Sequence, residues 1–235
     1  MTATPREMAN AVRFLALDAM VRVGDGHPGT PLGAADICTA LCTRHLRFDP
    51  ACPRWPDRDR FVLSNGHGST LIYSLLHLAG YAAFPLEQVK RFRELGSTTP
   101  GHPEYEPDHG VEITTGPLGQ GIANAAGMAV AEAMLNEEFG DDVVRHWTYA
   151  LVGDGCLMEG LGHEVISLAG HLKLGRLIFL YDSNRMTDDG PTSQAVTEDY
   201  MVRFACAGWH VQECDGHDQD AIAAAITAAK ADPRP

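Results

Sequence analysis

Asp154 and Asn184 are oxygen-bearing side chains about thirty positions apart, placed where a hard divalent cation could be held. Asp154 lies in Gly153-Asp154-Gly155, directly after the apolar run Thr148 to Val152. Asn184 closes Tyr181-Asp182-Ser183-Asn184, at the end of the apolar run Leu177 to Tyr181. With both runs read as strands, the separation is one strand–helix–strand crossover. The two side chains then stand at the carboxyl ends of neighbouring parallel strands, in the crevice where open α/β sheets take their ligands. A carboxylate and an amide oxygen, completed by a backbone carbonyl, water and ligand phosphates, suit Mg²⁺, with Ca²⁺ the other candidate. Gly155 lets the backbone approach a phosphate and donate its N–H, and Gly190 closes the loop after Asn184. Alone, Gly-Asp-Gly is more often an ordinary strand-to-helix turn capped by Asp. The crossover-spaced Asn gives it weight.

Three of the eleven histidines carry a second signal. His27, His67 and His102 sit in the Gly/Pro-flanked turns Gly26-His-Pro-Gly, Asn65-Gly-His-Gly and Gly101-His-Pro-Glu. A turn presents an imidazole that a helix interior would hide, and imidazole can donate, accept or carry a proton near neutral pH.

Elements that position these residues follow from periodicity. Helices are expected at residues 6–21, 31–45, 69–80 and 122–135, then 161–172, 196–207 and 219–230. Strands are expected at 60–63, 148–152, 177–181 and 209–213. This alternation implies the α/β class: an open parallel sheet with helices on both faces. The Ala- and Gly-rich 122–135 helix should pack closely on another element. No repeat or linker divides the chain, so residues 1–235 read as one domain. A further strand is expected after the last helix, so the chain reads as truncated at its C-terminus.

Composition sets the remaining bounds. The 235 residues are 45% hydrophobic and 21% charged, enough for one large buried core. A net charge of −13 argues against nucleic acid, whose readers carry dense basic faces. No apolar stretch reaches membrane-spanning length and the first residues lack a signal-peptide pattern, so a cytoplasmic location is expected. The six cysteines show no CxxC pair and read as free thiols in or near a core.

Gly153-Asp154-Gly155-Cys-Leu-Met-Glu159-Gly160 through Asp182-Ser183-Asn184 resembles the thiamine diphosphate motif as transketolases write it. Gly26-His27-Pro-Gly, Phe61-Val-Leu-Ser-Asn-Gly-His67-Gly, Thr99-Pro-Gly-His102-Pro-Glu and Thr115-Gly116-Pro117-Leu118-Gly-Gln-Gly121 resemble that family too, in its order. The match spans essentially the whole chain. The resemblance implies the cofactor thiamine diphosphate, held by its diphosphate through a metal on the Asp154 carboxylate, the Asn184 side-chain oxygen and the Met186 carbonyl. Gly155 and Asn184 would also reach the diphosphate. Gly116, Pro117 and Leu118 would line the ring pocket, and Glu159 would join an acidic network between subunits. His67 would stand nearest the diphosphate, while His27 and His102 would bind hydroxyls of the sugar-phosphate substrate and of the reacting fragment.

The resemblance further implies transfer of a two-carbon ketol unit from a ketose phosphate such as xylulose 5-phosphate to an aldose phosphate such as ribose 5-phosphate. It implies a homodimer in which a pyrimidine-binding domain, from the full-length chain or a partner subunit, completes the site. This chain alone would hold half of it. Asp188 departs from the pattern, which has an aliphatic residue there, and Asp25 replaces a usual Ser with little expected consequence. The rival readings are an enzyme like deoxyxylulose-phosphate synthase and a non-catalytic cofactor-binding module.

Overall fold

The structure, a computed structural model, describes residues 3–235. Helix α1 (Pro5–Val23) begins at a capping box: the Thr4 hydroxyl accepts the Glu7 N–H, and the Glu7 carboxylate accepts the Thr4 N–H. It ends where Gly24 takes a left-handed φ of 75°, a conformation that costs glycine little. Next come α2 (Gly29–Gly33), α3 (Ala35–Arg44), β1 (Arg60–Leu63), α4 (Ser69–Ala79), α5 (Leu86–Val89) and α6 (Gln120–Phe139). The second half runs β2 (Thr148–Gly153), α7 (Asp154–Met158), α8 (Gly160–Leu172), β3 (Leu177–Asp182), the hairpin β4 (Met186–Thr187) and β5 (Gly190–Pro191), α9 (Tyr200–Cys206) and α10 (Gln219–Ala231).

Among the described residues β1, β2 and β3 form one parallel sheet in that order. Alternation along β2 divides the interior. Tyr149 and Leu151 enter a core shared with α1, α3, α4 and α10, while Ala150 and Val152 enter a second core with α6, α8 and α9. Helices therefore cover both faces, and every residue of β2 before Gly153 is buried, as a parallel strand between two helix layers requires. The register aligns Leu63 with Leu151 and Gly153 with Asp182. The loops carrying His67, Asp154 and Asn184 consequently leave the sheet from the same edge.

Four expectations need correction. The helix expected at 31–45 is broken at Ala34 into α2 and α3, because the Gly29-Thr-Pro-Leu-Gly33 turn folds separately. The helix expected at 196–207 starts only at Tyr200, where the Asp199 carboxylate caps the Val202 N–H. Trp209 to Glu213 joins no ladder; the His210 N–H donates instead to the Pro235 carbonyl at 2.8 Å. All six cysteines are free, but Cys52, Cys206 and Cys214 are exposed rather than in a core. Among the described residues no helix is long and apolar enough to cross a membrane.

A charged cluster pins the amino ends of β1 and β2. Arg58 grips Glu112 with two bonds of 2.8 and 2.6 Å, and Asp59 accepts the N–H groups of Trp147 and Arg47. Buried His146 faces Asp57 here, at 3.3 Å. Burial, with Arg60 beside it, lowers its pKa from 6.5 to about 4. The unfolded chain therefore takes up the proton first. The stability that neutral His146 contributes is full above about pH 6.5 and lost as pH falls toward 4. Thermal melts of the wild type and His146→Gln should thus show a Tm gap that narrows between pH 7 and 4; a constant gap would contradict this.

Candidate functional site

Asp154 is the first residue of α7, held at the sheet edge because Gly153 ends β2 in an extended conformation. It is 5% exposed, and its two oxygens differ. Oδ1 accepts the Tyr181 hydroxyl at 2.5 Å, while Oδ2 is buried with no partner. Burial raises the Asp154 pKa, opposed by the Tyr181 hydroxyl and the Arg185 N–H. Asp182, at the end of β3, is likewise raised, by burial and then by the Asp154 charge. Two carboxylates with such shifts create a demand for positive charge in the crevice.

Asn184 is exposed just past β3. Its Oδ1 accepts the Met186 N–H at 2.9 Å and its Nδ2 faces Asp182 Oδ2 at 3.3 Å. This turn leads into the β4–β5 hairpin, which Gly190 closes at φ 134°. Arg185 stands between Asn184 and Met186 at φ 60°, a conformation costing a non-glycine residue about 1 kcal/mol or more. Among the described residues no three His, Cys, Asp or Glu side chains gather into a metal cage. A cation held here would take amide, carbonyl and ligand oxygens beside the single orphaned carboxylate oxygen, a hard donor set that fits Mg²⁺ or Ca²⁺.

The histidine turns converge. The His27 and His67 rings meet edge to face with centroids 5.2 Å apart, and His102 lies against Gly116, whose added Cβ would be 3.3 Å from it. His67 is half-buried rather than exposed; burial, then His27 and His102, lower its pKa, so it is neutral at pH 7. His102 is exposed and lowered by burial of its ring, then by Arg93 and His27. Gly155 carries Leu118 in close contact, since a Cβ there would lie 2.7 Å from Leu118 Cδ1. This seats Gly116, Pro117 and Leu118 on the Asp154 turn. Glu159 is exposed and packs beside Gly119, which holds φ 82°.

Several partners were not legible in sequence. Asp25, expected to matter little, pairs with Arg93, whose Nε lies 3.2 Å from where a Gly101 Cβ would stand. Arg93 thereby ties the His27 turn to the His102 turn. Asn65 donates to the Thr30 hydroxyl at 3.0 Å and keeps its Oδ1 buried and unpartnered. His27 Nδ1 and Thr115 Oγ1 are buried without partners as well. With Asp154 Oδ2 that makes four unsatisfied atoms on the candidate residues and their neighbours, each carrying a desolvation penalty of about 1–3 kcal/mol unless a ligand meets it. Of these, Asn65 and Thr115 were not singled out in sequence, their signal being only their adjacency to the histidine and glycine turns.

An open parallel sheet with such a crevice at its carboxyl edge defines a ligand-binding protein of the doubly covered α/β class. The family model for the transketolase, thiamine diphosphate binding domain matches residues 4–235, and the chain belongs to that family. It is 58% identical over 228 residues to a transketolase of Cereibacter sphaeroides, covering 97% of this chain and 35% of that protein. The transketolase structure from Campylobacter jejuni superposes with a TM-score of 0.96 at 46% identity, over 100% of this chain and 37% of that one. A Pichia stipitis transketolase in complex with sedoheptulose 7-phosphate gives 0.93 at 46% identity, over 97% and 34%. The chain thus spans about a third of the length of the curated relatives it matches.

Proposed function

We propose that this chain is the diphosphate-binding part of a transketolase, and that the longer protein transfers a two-carbon ketol unit between sugar phosphates such as xylulose 5-phosphate and ribose 5-phosphate. The observation that carries the reading is the orphaned Asp154 Oδ2, buried at the carboxyl edge of the sheet within a domain of this family. Asp154, the Asn184 side-chain oxygen and the Met186 carbonyl would hold Mg²⁺ or Ca²⁺, and the Gly155 N–H and Asn184 would reach the diphosphate. Gly116, Pro117 and Leu118 would border the ring. When bound, thiamine diphosphate supplies the carbon nucleophile for cleavage beside a ketose carbonyl.

The chain's own groups bind and orient. Neutral His67 can donate a hydrogen bond to a phosphate oxygen, and the His27 and His102 imidazoles can fix substrate hydroxyls or move a proton to them. Glu159, exposed beside Gly119, would face a second subunit of a homodimer. A pyrimidine-binding domain outside these residues would complete the site, in a cytoplasmic enzyme. The assay is direct: the polypeptide translated through its whole reading frame should convert xylulose 5-phosphate and ribose 5-phosphate to a seven-carbon ketose phosphate, while the 235-residue chain alone turns over at least about 100-fold more slowly, a barrier difference of about 2.7 kcal/mol. Robust activity of the short chain would refute the divided site. Condensation of pyruvate with a triose phosphate would instead favour the deoxyxylulose-phosphate synthase reading.

A further inference from the structure

Asp25, Gly26 and His27 carry one of the candidate imidazoles on a stretch of chain with little to hold it. Among the described residues none of the three donates or accepts a backbone–backbone hydrogen bond. Gly24 at φ 75° and Gly26 at φ 147° flank Asp25, in conformations that glycine reaches freely and with no side chain to fix them. The Met20 side chain backs the turn, its Cγ 2.5 Å from where a Gly26 Cβ would stand. The ion pair from the Asp25 carboxylate to the Arg93 guanidinium is the one hydrogen-bonded tie on the stretch among the described residues.

Arg93 is the fixed end of that tie. Its backbone sits at φ 62°, with its N–H on the Thr99 carbonyl at 2.9 Å. Its guanidinium carbon lies 5.4 Å from the centroid of the Phe92 ring, which is buried. Its Nε is buried without a partner and lies against Gly101, the residue before His102. Only 23% of the Arg93 side chain is exposed, against 64% of Asp25, so the arginine is the anchor and the Asp25 turn is what it restrains. One arm rooted beside His102 thus reaches the residue two positions before His27. The Ser usual at position 25 in the family would give this guanidinium no counter-charge, so the ion pair depends on the Asp of this chain.

We propose that Asp25 and Arg93 are positioning residues: their ion pair fixes the spacing of the His27 and His102 imidazoles, and so the grip of the site on hydroxyls of a sugar phosphate. This rests on the hydroxyl-binding roles proposed above for the two histidines. A pair this exposed adds little to overall stability. Its effect is local, because a displacement of about 1 Å is enough to misalign an imidazole from a substrate hydroxyl. The guanidinium also acts on His102 directly. Arg93, His27 and His67 are the titratable groups facing that ring, and burial, then Arg93 and His27, favour its neutral form.

The test takes the full-length polypeptide with Asp25→Asn or with Arg93→Met, the latter keeping an aliphatic stem over Phe92. Each should raise KM for the ketose phosphate at least about fivefold with kcat within about twofold, the pattern of binding lost equally from ground and transition states. The double variant should be no worse than either single one, since both break one contact. A second measurement needs no turnover: carbethoxylation of the apo protein with diethyl pyrocarbonate, read histidine by histidine through peptide mass mapping. Both variants should label His27 at least about fivefold faster, as a loosened turn opens more often. His171, exposed on α8, should keep its rate and so control for folding. Arg93→Met should also move the pH midpoint of His102 labelling upward, because the cation that lowers it is gone. Unchanged His27 labelling, unchanged KM or additive losses in the double variant would overturn the proposal. If Arg93→Met speeds His171 labelling too, it has unfolded and Asp25→Asn alone decides. Faster His27 labelling in a protein that turns over no sugar phosphate would refute the transketolase reading, and with it the substrate role of the pair.

Discussion

Replacing Asp154 with Ala or Asn should abolish metal-dependent thiamine diphosphate binding, lowering affinity at least about 100-fold, or about 2.7 kcal/mol. The apo protein should not unfold more easily. The wild-type carboxylate is buried, has a raised pKa and leaves Oδ2 unpartnered, so it opposes folding until a cation meets it. Asp154→Asn keeps an acceptor for the Tyr181 hydroxyl while removing the charge, and the apo Tm should equal or exceed that of the wild type. Calorimetric titration with thiamine diphosphate, with Mg²⁺ and with chelator, separates the effects. Unchanged affinity in Asp154→Ala would remove the metal assignment. A fall in affinity accompanied by a Tm loss of many degrees would make Asp154 structural.

Gly66→Ala should be nearly as damaging, through sterics rather than charge. A Cβ at Gly66 would lie 2.5 Å from Thr115 Oγ1, 2.7 Å from its carbonyl carbon and 2.8 Å from its carbonyl oxygen. Backbone cannot yield as a flexible side chain can, so the turn bearing His67 must move away from the strip bearing Gly116 to Leu118. The expected cost is about 1–3 kcal/mol of stability and at least tenfold in cofactor affinity. Gly127→Ala is the control: its Cβ meets nothing within 4 Å, and in the exposed middle of α6 the change should stabilise by about 0.5–1 kcal/mol. Denaturant melts of both variants check the pair. Equal midpoints would show that the approach of Gly66 to Thr115 is not tight in solution.

Much of the fold was legible because it depends on local pattern. Apolar runs at 60–63, 148–152 and 177–181 gave the strands, and helix periodicity located α1, α4, α6, α8 and α10 within a few residues. The failures have physical causes. At 209–213 the pattern of a strand is present, but a ladder is a property of two segments, and among the described residues no partner pairs with this one. At Ala34 the glycines and proline of the preceding turn outweighed an otherwise helical pattern. In the candidate site, the residues flanked by glycines were visible because close backbone approach demands glycine. The Tyr181–Asp154 bond and the Asp25–Arg93 pair were not, since each joins side chains distant in sequence whose types are common on any surface.

The proposed chemistry depends on where one cation sits. Crystals of the full-length polypeptide grown with thiamine diphosphate and Mn²⁺ in place of Mg²⁺ would locate it by anomalous scattering. A single strong peak is expected within bonding distance of an Asp154 carboxylate oxygen, the Asn184 side-chain oxygen and the Met186 carbonyl. A peak elsewhere on the domain, or bound cofactor with no peak beside Asp154, would contradict it.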